Sequence, residues 1–415
     1  MFRKSLLAVL ALLIAAVAAW AAGIDQPGDV HLIRPEDLPP PFATKSTDNP
    51  PNVVARPAGA ELHVPLGFHV DLFYDGRLGG DNSPRIMALA PNGDLFVAAS
   101  GDNRIYALRD ADGDGKAESQ FVFATASQGL NLPFGLAFHE GYLYVGNTNG
   151  VVRFAYQSGQ TQAKMPAEVV VSGIPGLGYN QHWTRNLVFS PDGKKMYVSV
   201  GSMSNLAEEG EKRAAILEFN PDGTGYRRFA SGLRNPVGLA FNPVTNELWA
   251  AVNERDGLGD DLVPDYFTAV KDGGFYGWPY SYIGAHLDPR MNGKGQDLAA
   301  QAIVPDVLFQ AHSASLGAVF YTGGMFPEEY HNDAFVAFHG SWNRKLRTGY
   351  KVVRVRLKDG KPVGGYEDFL TGWMLAPDNK NVWGRPVGLL VAGDGALLVS
   401  DDGGHRIWRV SYARP

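Results

Sequence analysis

The sequence contains no cysteine among its 415 residues. Disulfides, thiolate metal sites, a cysteine nucleophile, iron–sulfur clusters and c-type haem attachment are therefore excluded. Charge is sparse as well. Only 19% of residues are Asp, Glu, Lys or Arg, the formal balance is −6, and no Lys/Arg run is present. That pattern argues against a nucleic-acid partner. After residue 22 no apolar stretch is long enough to cross a bilayer. Glycine, in contrast, is abundant at 50 residues without a collagen period, and 45% of the chain is hydrophobic. Many tight turns between apolar segments favour β structure around a large core over disorder.

Residues 1–22 read as a secretory signal. Arg3 and Lys4 form the charged start, Leu6 to Ala19 is an unbroken apolar run, and Ala19-Trp20-Ala21 fits small-x-small cleavage. A retained membrane anchor is the alternative. A secreted chain without cysteine suits a bacterial periplasm. Residues 23–59, with Pro39-Pro40-Pro41 and Pro50-Pro51, are expected to form an extended arm over the domain or a flexible leader.

The rest of the chain, residues 60–415, repeats. The segment from Ser83 to Val97 recurs in variant form at Pro133 to Val145, Thr184 to Val198, Asn235 to Ala250, Leu316 to Val336 and Arg385 to Val399. Each copy pairs two apolar strands across a turn such as Pro-Asn-Gly or Pro-Asp-Gly. Most are followed by a third alternating strand, as at Arg104 to Leu108 and Ala215 to Phe219. Six copies of a three- or four-strand unit predict an all-β, six-bladed β-propeller. Glu61 to Asp75 is expected to supply the outer strand of the last blade and close the ring, hiding the sheet edges. The insertions Asp256 to Gln310 and Lys358 to Val382 are expected as loops on one face.

In a propeller the segment before each innermost strand reaches the channel mouth. Those segments hold Arg85, Asn180 to Arg185, Arg234-Asn235, His312 and Arg385. Cations converging on one mouth predict an anionic ligand. His182 stands out as an acid/base candidate, because imidazole transfers protons best near neutrality. Asp256, Asp260 and Asp261 cluster in a Gly-rich loop, a pattern suited to a hard cation, with a solvated acidic turn as the alternative. A second acidic loop is more specific. Asp110, Asp112 and Asp114 take the first, third and fifth positions of an EF-hand loop, followed by Gly115, Lys116 and, at the ninth position, Glu118. Position twelve is Phe121 and no helices flank the loop. A structural calcium-clamped hairpin is expected there.

Several stretches resemble one known family. They are Gly178 to Ser202, Gly232 to Pro243, Asp272 to Tyr280, Ala311 to Tyr321 and Phe338 to Arg344. Over about residues 60–412 the chain resembles the soluble quinoprotein sugar dehydrogenases of the glucose/sorbosone dehydrogenase family, closest to the sorbosone-dehydrogenase-like branch. The resemblance implies a secreted six-bladed propeller holding pyrroloquinoline quinone (PQQ) and calcium at its mouth. It implies oxidation of an aldose or a sorbosone-like aldehyde, with His182 taking the hydroxyl proton as hydride passes to the quinone. It assigns Arg234 and Asn235 to the quinone oxygens and Arg385 to a cofactor carboxylate. Arg344 or Lys345 stands in for the family's fifth-blade lysine. The carbonyls of Arg255 and Asp256 fall where calcium is ligated, with Asp260 and Asp261 serving a calcium site. Electrons would leave to a separate carrier, a quinone or cytochrome. PQQ is a tricarboxylate, so an Arg-rich mouth with a divalent cation is electrostatically appropriate.

The sequence also departs from that family. Gly201-Ser202 replaces a Gly-Asp whose acid supports the histidine, and Arg385 is followed by Pro386-Val387 where a second Arg is expected. Two other functions stay open on the residues. A calcium-dependent propeller hydrolase of the lactonase type would place carboxylates at the mouth rather than Arg. A non-catalytic propeller would bind a partner or glycan.

Overall fold

The computed structural model describes residues 25–413; the segment read as a signal, residues 1–22, lies outside the described residues. Six antiparallel sheets follow one another along the described chain, five of four strands and one of five. The first is Met87–Leu89, Leu95–Ala99, Arg104–Arg109 and Ser119–Thr125, ordered from the centre outwards. The second begins at Gly135–His139, the third at Leu187–Phe189 and the fourth at Asn235–Phe241. The fifth and sixth begin at Ser315–Phe320 and Pro386–Val391. The sixth is completed by Phe68–Tyr74, which pairs antiparallel with Arg406–Tyr412. One blade is thus assembled from both ends of the described chain, and the ring closes as expected.

The strand alternation explains how the blades stack. Leu95, Val97 and Ala99 face the sixth blade, where they meet Leu398 and Ile407. Phe96 and Ala98 face the second, where they meet Leu143 and Val145. Every blade interface is built this way, so the core is six wedge-shaped apolar layers. A seventh small cluster, Phe134, Val237, Leu316 and Val387 with Trp183 against it, fills the axis below the mouth.

One expectation needed correction. The insertions are only partly loops. Tyr266–Ala269 and Val307–Leu308 are the third and outer strands of the fourth blade, and Tyr366–Leu370 is the outer strand of the fifth. Tyr266–Ala269 is buried throughout, so it shows none of the alternation by which half-exposed strands are read. Of the two alternatives for the proline-rich segment, the described residues follow the arm: they lie on the propeller. Val30–His31 adds a fifth strand beside Tyr366–Leu370, and Asn52–Val53 pairs in parallel with Asn381–Val382.

The innermost strands carry glycine at one repeat position, Gly135, Gly238, Gly317 and Gly388, where the next blade's backbone passes. A Cβ on Gly135 would lie 2.7 Å from Leu187 N and 2.8 Å from Arg185 O, closer than real contacts allow. Gly135→Val should therefore separate the second and third blades and destabilise by about 1–3 kcal/mol, the usual cost of overpacking. Gly324→Ala, with no atom within 4 Å of its Cβ, is the control. Thermal melts of the two variants check this; equal melting temperatures would remove the steric account.

Candidate active site at the channel mouth

Antiparallel blades bring two sets of connections to the same face: the segment entering each innermost strand, and the loop from second to third strand. His182 enters the third blade, and Ser202 follows that blade's second strand, Met196–Val200. His182 Nδ1 lies 2.9 Å from the Ser202 carbonyl oxygen and 2.9 Å from Ser202 Oγ. A carbonyl only accepts, so Nδ1 carries the proton. Ser202 Oγ in turn donates to the Ser204 carbonyl at 2.6 Å. Nε2 has no protein partner among the described residues and is left as a lone pair. Burial first, and the Arg234 charge second, hold the ring's pKa well below its ordinary 6.5. The imidazole is therefore neutral at physiological pH.

His182 lines a hollow of about 160 Å³ with Gln181, Arg234, Glu254, Asp256, Asp265 and His312, among others. Arg234 is 3% exposed. Its Nη2 donates to Asn205 Oδ1 at 2.8 Å and to Asp256 Oδ2 at 3.2 Å. Asp256 Oδ1 faces His312 Nδ1 at 3.1 Å, and His312 Nε2 faces the Gly259 carbonyl at 3.0 Å. Both ring nitrogens of His312 thus meet acceptors, an arrangement that favours the imidazolium. Burial pulls its pKa down, but the hydrogen bond and charge of Asp256 outweigh this and raise it. The same contacts hold Asp256 below the ordinary carboxylate range despite burial. With both His312 nitrogens turned to acceptors, His182 is the histidine of this hollow that keeps an unpartnered ring nitrogen among the described residues. Asp265 accepts from the amides of Glu254 and Ala314, and burial pushes it up to about 7.

The opposite side of the mouth is organised by Asp402. Arg85 pairs with its Oδ2, Arg385 Nε with Oδ1 at 2.9 Å, and His339 Nε2 with Oδ1 at 3.0 Å. Burial lowers His339 to about 4, with Arg385 helping and Asp402 opposing, so this histidine donates while neutral. Arg85 also stacks 5.3 Å from both the Phe134 and Trp183 rings. The mouth is therefore not a bare ring of cations. Arg85 and Arg385 share Asp402, Arg234 has Asp256, and Arg185 is buried on the carbonyls of His182, Thr184 and Pro175.

Not every expected residue faces the hollow. Arg344 turns to Asp261, 2.7 Å away, and donates to the Asp260 carbonyl at 2.6 Å. Lys345 is exposed, and its amide bonds Asp260 Oδ2 at 2.9 Å. The residues of this loop that line the hollow are Gly340, Trp342 and Asn343. Of the two carbonyls implied as calcium ligands at the cofactor, that of Asp256 is already engaged. The Asp256 carbonyl accepts from Arg290 Nη1 at 2.7 Å and Asn205 Nδ2 at 3.0 Å, and a guanidinium at that oxygen repels a second cation. The Arg255 side chain is fully buried between Glu254 and Asp288. Among the described residues Asp256, Asp260 and Asp261 form no carboxylate cluster, and Asp260 Oδ1 is buried without a partner. Asn235 sits at the start of its inner strand with Oδ1 buried and unpartnered. The Asp110 loop lies on the other face, between third and outer strands of the first blade. There Asp110, Asp112, Asp114 and Glu118 bring carboxylate oxygens within 4.8 Å of one another, and Lys116 follows with its amide on Asp114.

Sequence reasoning missed Glu254, Asp265, His339, Asp402, Asn205 and Arg290. A signal for three of them, Glu254, His339 and Asp402, was available. A polar residue follows the second strand in each repeat, at Ser100, Thr148, Ser202, Glu254, His339 and Asp402, and these loops reach the same face. Asn205 and Arg290 lie in long insertions and carry no such mark.

A family model described as TrAA12-like matches residues 64–265 and 283–413. An uncharacterised protein of Borreliella burgdorferi is 28% identical over 372 residues, covering 87% of this chain and 94% of that one. The pyrroloquinoline quinone-dependent pyranose dehydrogenase of Coprinopsis cinerea is 25% identical over 405 residues, covering 82% of this chain. The chain spans about half, 53%, of that relative's length. Among solved structures, the calcium structure of the Trichoderma reesei carbohydrate-active enzyme of family AA12 superposes with a TM-score of 0.74 at 20% identity. It covers 87% of this chain and 98% of that one. The holo PQQ domain of the C. cinerea pyranose dehydrogenase superposes with 0.71 at 22% identity, covering 87% and 99%. No helix among the described residues is long and apolar enough to cross a membrane.

The Asp256 arrangement sets a pH dependence. His312 is raised in the folded state, so its pairing stabilises fully below the unfolded pKa of about 6.5 and is lost as pH rises through the folded value. Asp256→Asn should remove this dependence and lower the His312 pKa, at an overall cost on the order of 1–3 kcal/mol. Imidazole NMR titration checks it; an unchanged His312 midpoint would show that Asp256 does not hold the proton there.

Proposed function

The chain belongs to the TrAA12-like family, and from that premise we propose that it is a PQQ-dependent dehydrogenase oxidising an aldose sugar or a sorbosone-like aldehyde. The observation that carries the reading is His182, buried and neutral, with Nδ1–H tied to Ser202 and Nε2 unpartnered at the hollow. Nearby donors suit the oxygens of a quinone. Among the described residues Arg234 Nη1 has no protein acceptor, and the Asn235 side-chain amide makes no hydrogen bond while its Oδ1 is buried. When bound, PQQ supplies a two-electron acceptor for the substrate hydride. Nε2 of His182 takes the proton of the sugar's anomeric hydroxyl, or of a hydroxyl of the aldehyde's hydrate, as that C–O bond becomes C=O. The Ser202 carbonyl keeps the ring in the required tautomer and accepts from Nδ1–H throughout. Positive charge beside the developing negative oxygen comes from Arg234 and the His312 imidazolium. The calcium ligands implied at the mouth do not form a site, because Asp256 and Asp261 are paired with Arg234 and Arg344, the Asp256 carbonyl already meets Arg290, and among the described residues the three acids do not cluster; no step is assigned to that ion.

Calcium is instead placed in the Asp110 loop, with a structural role. Residues 1–22 would direct the chain to the periplasm, where a separate quinone or cytochrome takes the electrons. Carboxylates do stand at the mouth, as a hydrolase would need. Each of Asp256 and Asp402 is paired with arginine, and among the described residues none belongs to a cation-sized cluster.

Four outcomes are expected. PQQ added to the apo-protein should produce sugar-dependent dye reduction; failure with several aldoses and aldehydes would sink the dehydrogenase reading. His182→Ala should lower kcat by about 10²–10⁴-fold at saturating PQQ with PQQ affinity preserved. The acid limb of the wild-type kcat/KM profile should lie below pH 6.5, because the folded pKa is depressed and the base is lost only when it protonates. A limb at or above 6.5 would contradict the environment described for His182. Finally, calcium should raise Tm and Asp112→Ala should abolish that rise, the effect being about 2.7 kcal/mol at a hundredfold excess over Kd. An identical melt with and without calcium would remove the loop site.

A further inference from the structure

The hollow at His182 is about 160 Å³, below the ~300–1,000 Å³ of a pocket that encloses a whole small-molecule ligand. A second hollow of about 460 Å³ opens beside it. The two are separated by the chain at His339 and Gly340: Gly340 lines the first, and His339 bonds Asp402 in the wall of the second. Three guanidinium groups line this second space, Arg56, Arg385 and Arg406, with Trp383, Asp81 and Asp402.

The three arginines are pre-positioned through one atom each, and their forks are left over. Arg385 uses Nε on Asp402 at 2.9 Å, and Arg406 uses Nε toward Asp75 at 3.1 Å. Arg56 donates Nε to the Ala60 carbonyl at 2.8 Å and stacks 5.3 Å from the Trp383 ring and 5.7 Å from that of Trp408. The Nη atoms of all three have no protein acceptor among the described residues. Asp402 does not neutralise the space, since Arg85 draws on the same carboxylate from outside the hollow. Planar forks with free parallel N–H groups match carboxylates bidentately. Arg56 also has a distinct origin. It belongs to the segment that runs over the propeller after Asn52–Val53, so the arm forms one wall.

We propose that this second hollow is a carboxylate-binding subsite of the mouth, completed by Arg56 from the N-terminal arm and by Arg406. Two sources would bring the same chemistry: the carboxylates of a quinone cofactor, which rests on the dehydrogenase reading above, or the carboxylate of an acidic sugar. The test is isothermal titration of the full chain with PQQ and, separately, with glucuronate. Wild type is compared with Arg56→Ala, Arg406→Ala and the exposed control Arg228→Ala. If the cofactor is the source, PQQ affinity falls at least tenfold in the first two variants and not in the control. If an acidic sugar is the source, glucuronate affinity falls in that pattern while PQQ affinity holds. Wild-type binding of glucuronate without PQQ would leave the subsite standing and overturn the dehydrogenase reading. Equal affinities in all four proteins, or binding of neither compound to wild type, would overturn the subsite.

Discussion

The pairing of Phe68–Tyr74 with Arg406–Tyr412 is the constraint on which the rest depends. A chain of blades that did not close would leave two sheet edges and an open axis. Closure brings the first and sixth blades together, with Leu95, Val97 and Ala99 against Leu398 and Ile407. It also sets the mouth: Arg85 precedes the first blade, Asp402 lies in the sixth, and their ion pair exists only when the ring is complete. The site is therefore a property of the closed ring, and no single repeat contains it.

Charge at the mouth is arranged in pairs rather than accumulated. Asp256 bridges Arg234 and His312, and Asp402 bridges Arg85, Arg385 and His339. Burying several guanidinium groups without such partners would carry a large desolvation cost. The pairing leaves each arginine with unused donors, so the mouth keeps directional hydrogen-bonding capacity at modest net charge. It also separates the two histidines by role. His312, between a carboxylate and a carbonyl, holds its proton; His182, beside Arg234 and without a carboxylate contact, does not.

Ser202 shows how a position can change chemistry and keep its task. An acid there would favour the imidazolium, whereas a serine and its carbonyl only orient the neutral ring. Orientation survives through two 2.9 Å contacts to Nδ1, and the basicity of Nε2 is then set by burial and by Arg234. Proton abstraction by such a ring rests on position more than on a matched pKa.

Much of this was legible in the chain itself. Six apolar repeats with turn signals, and a strand-like segment before the first, determine a closed propeller, because alternating strands of that length have few other ways to bury both faces. The residues entering each innermost strand, His182, Arg234 and Arg385 among them, follow from the repeat alone. The expected loop at Tyr266–Ala269 went astray because a strand buried on both faces loses its period. The acids of Glu254, Asp256 and Asp402 and the role of Ser202 were decided by tertiary structure. Antiparallel pairing returns the second-to-third-strand loops to the same face, and only there do residues from different blades meet. The same holds for Arg56, which reaches the sixth blade only because the arm lies across it. Sequence periodicity states which residues share a strand face, whereas charge partners across blades depend on ring closure and on where each insertion folds back.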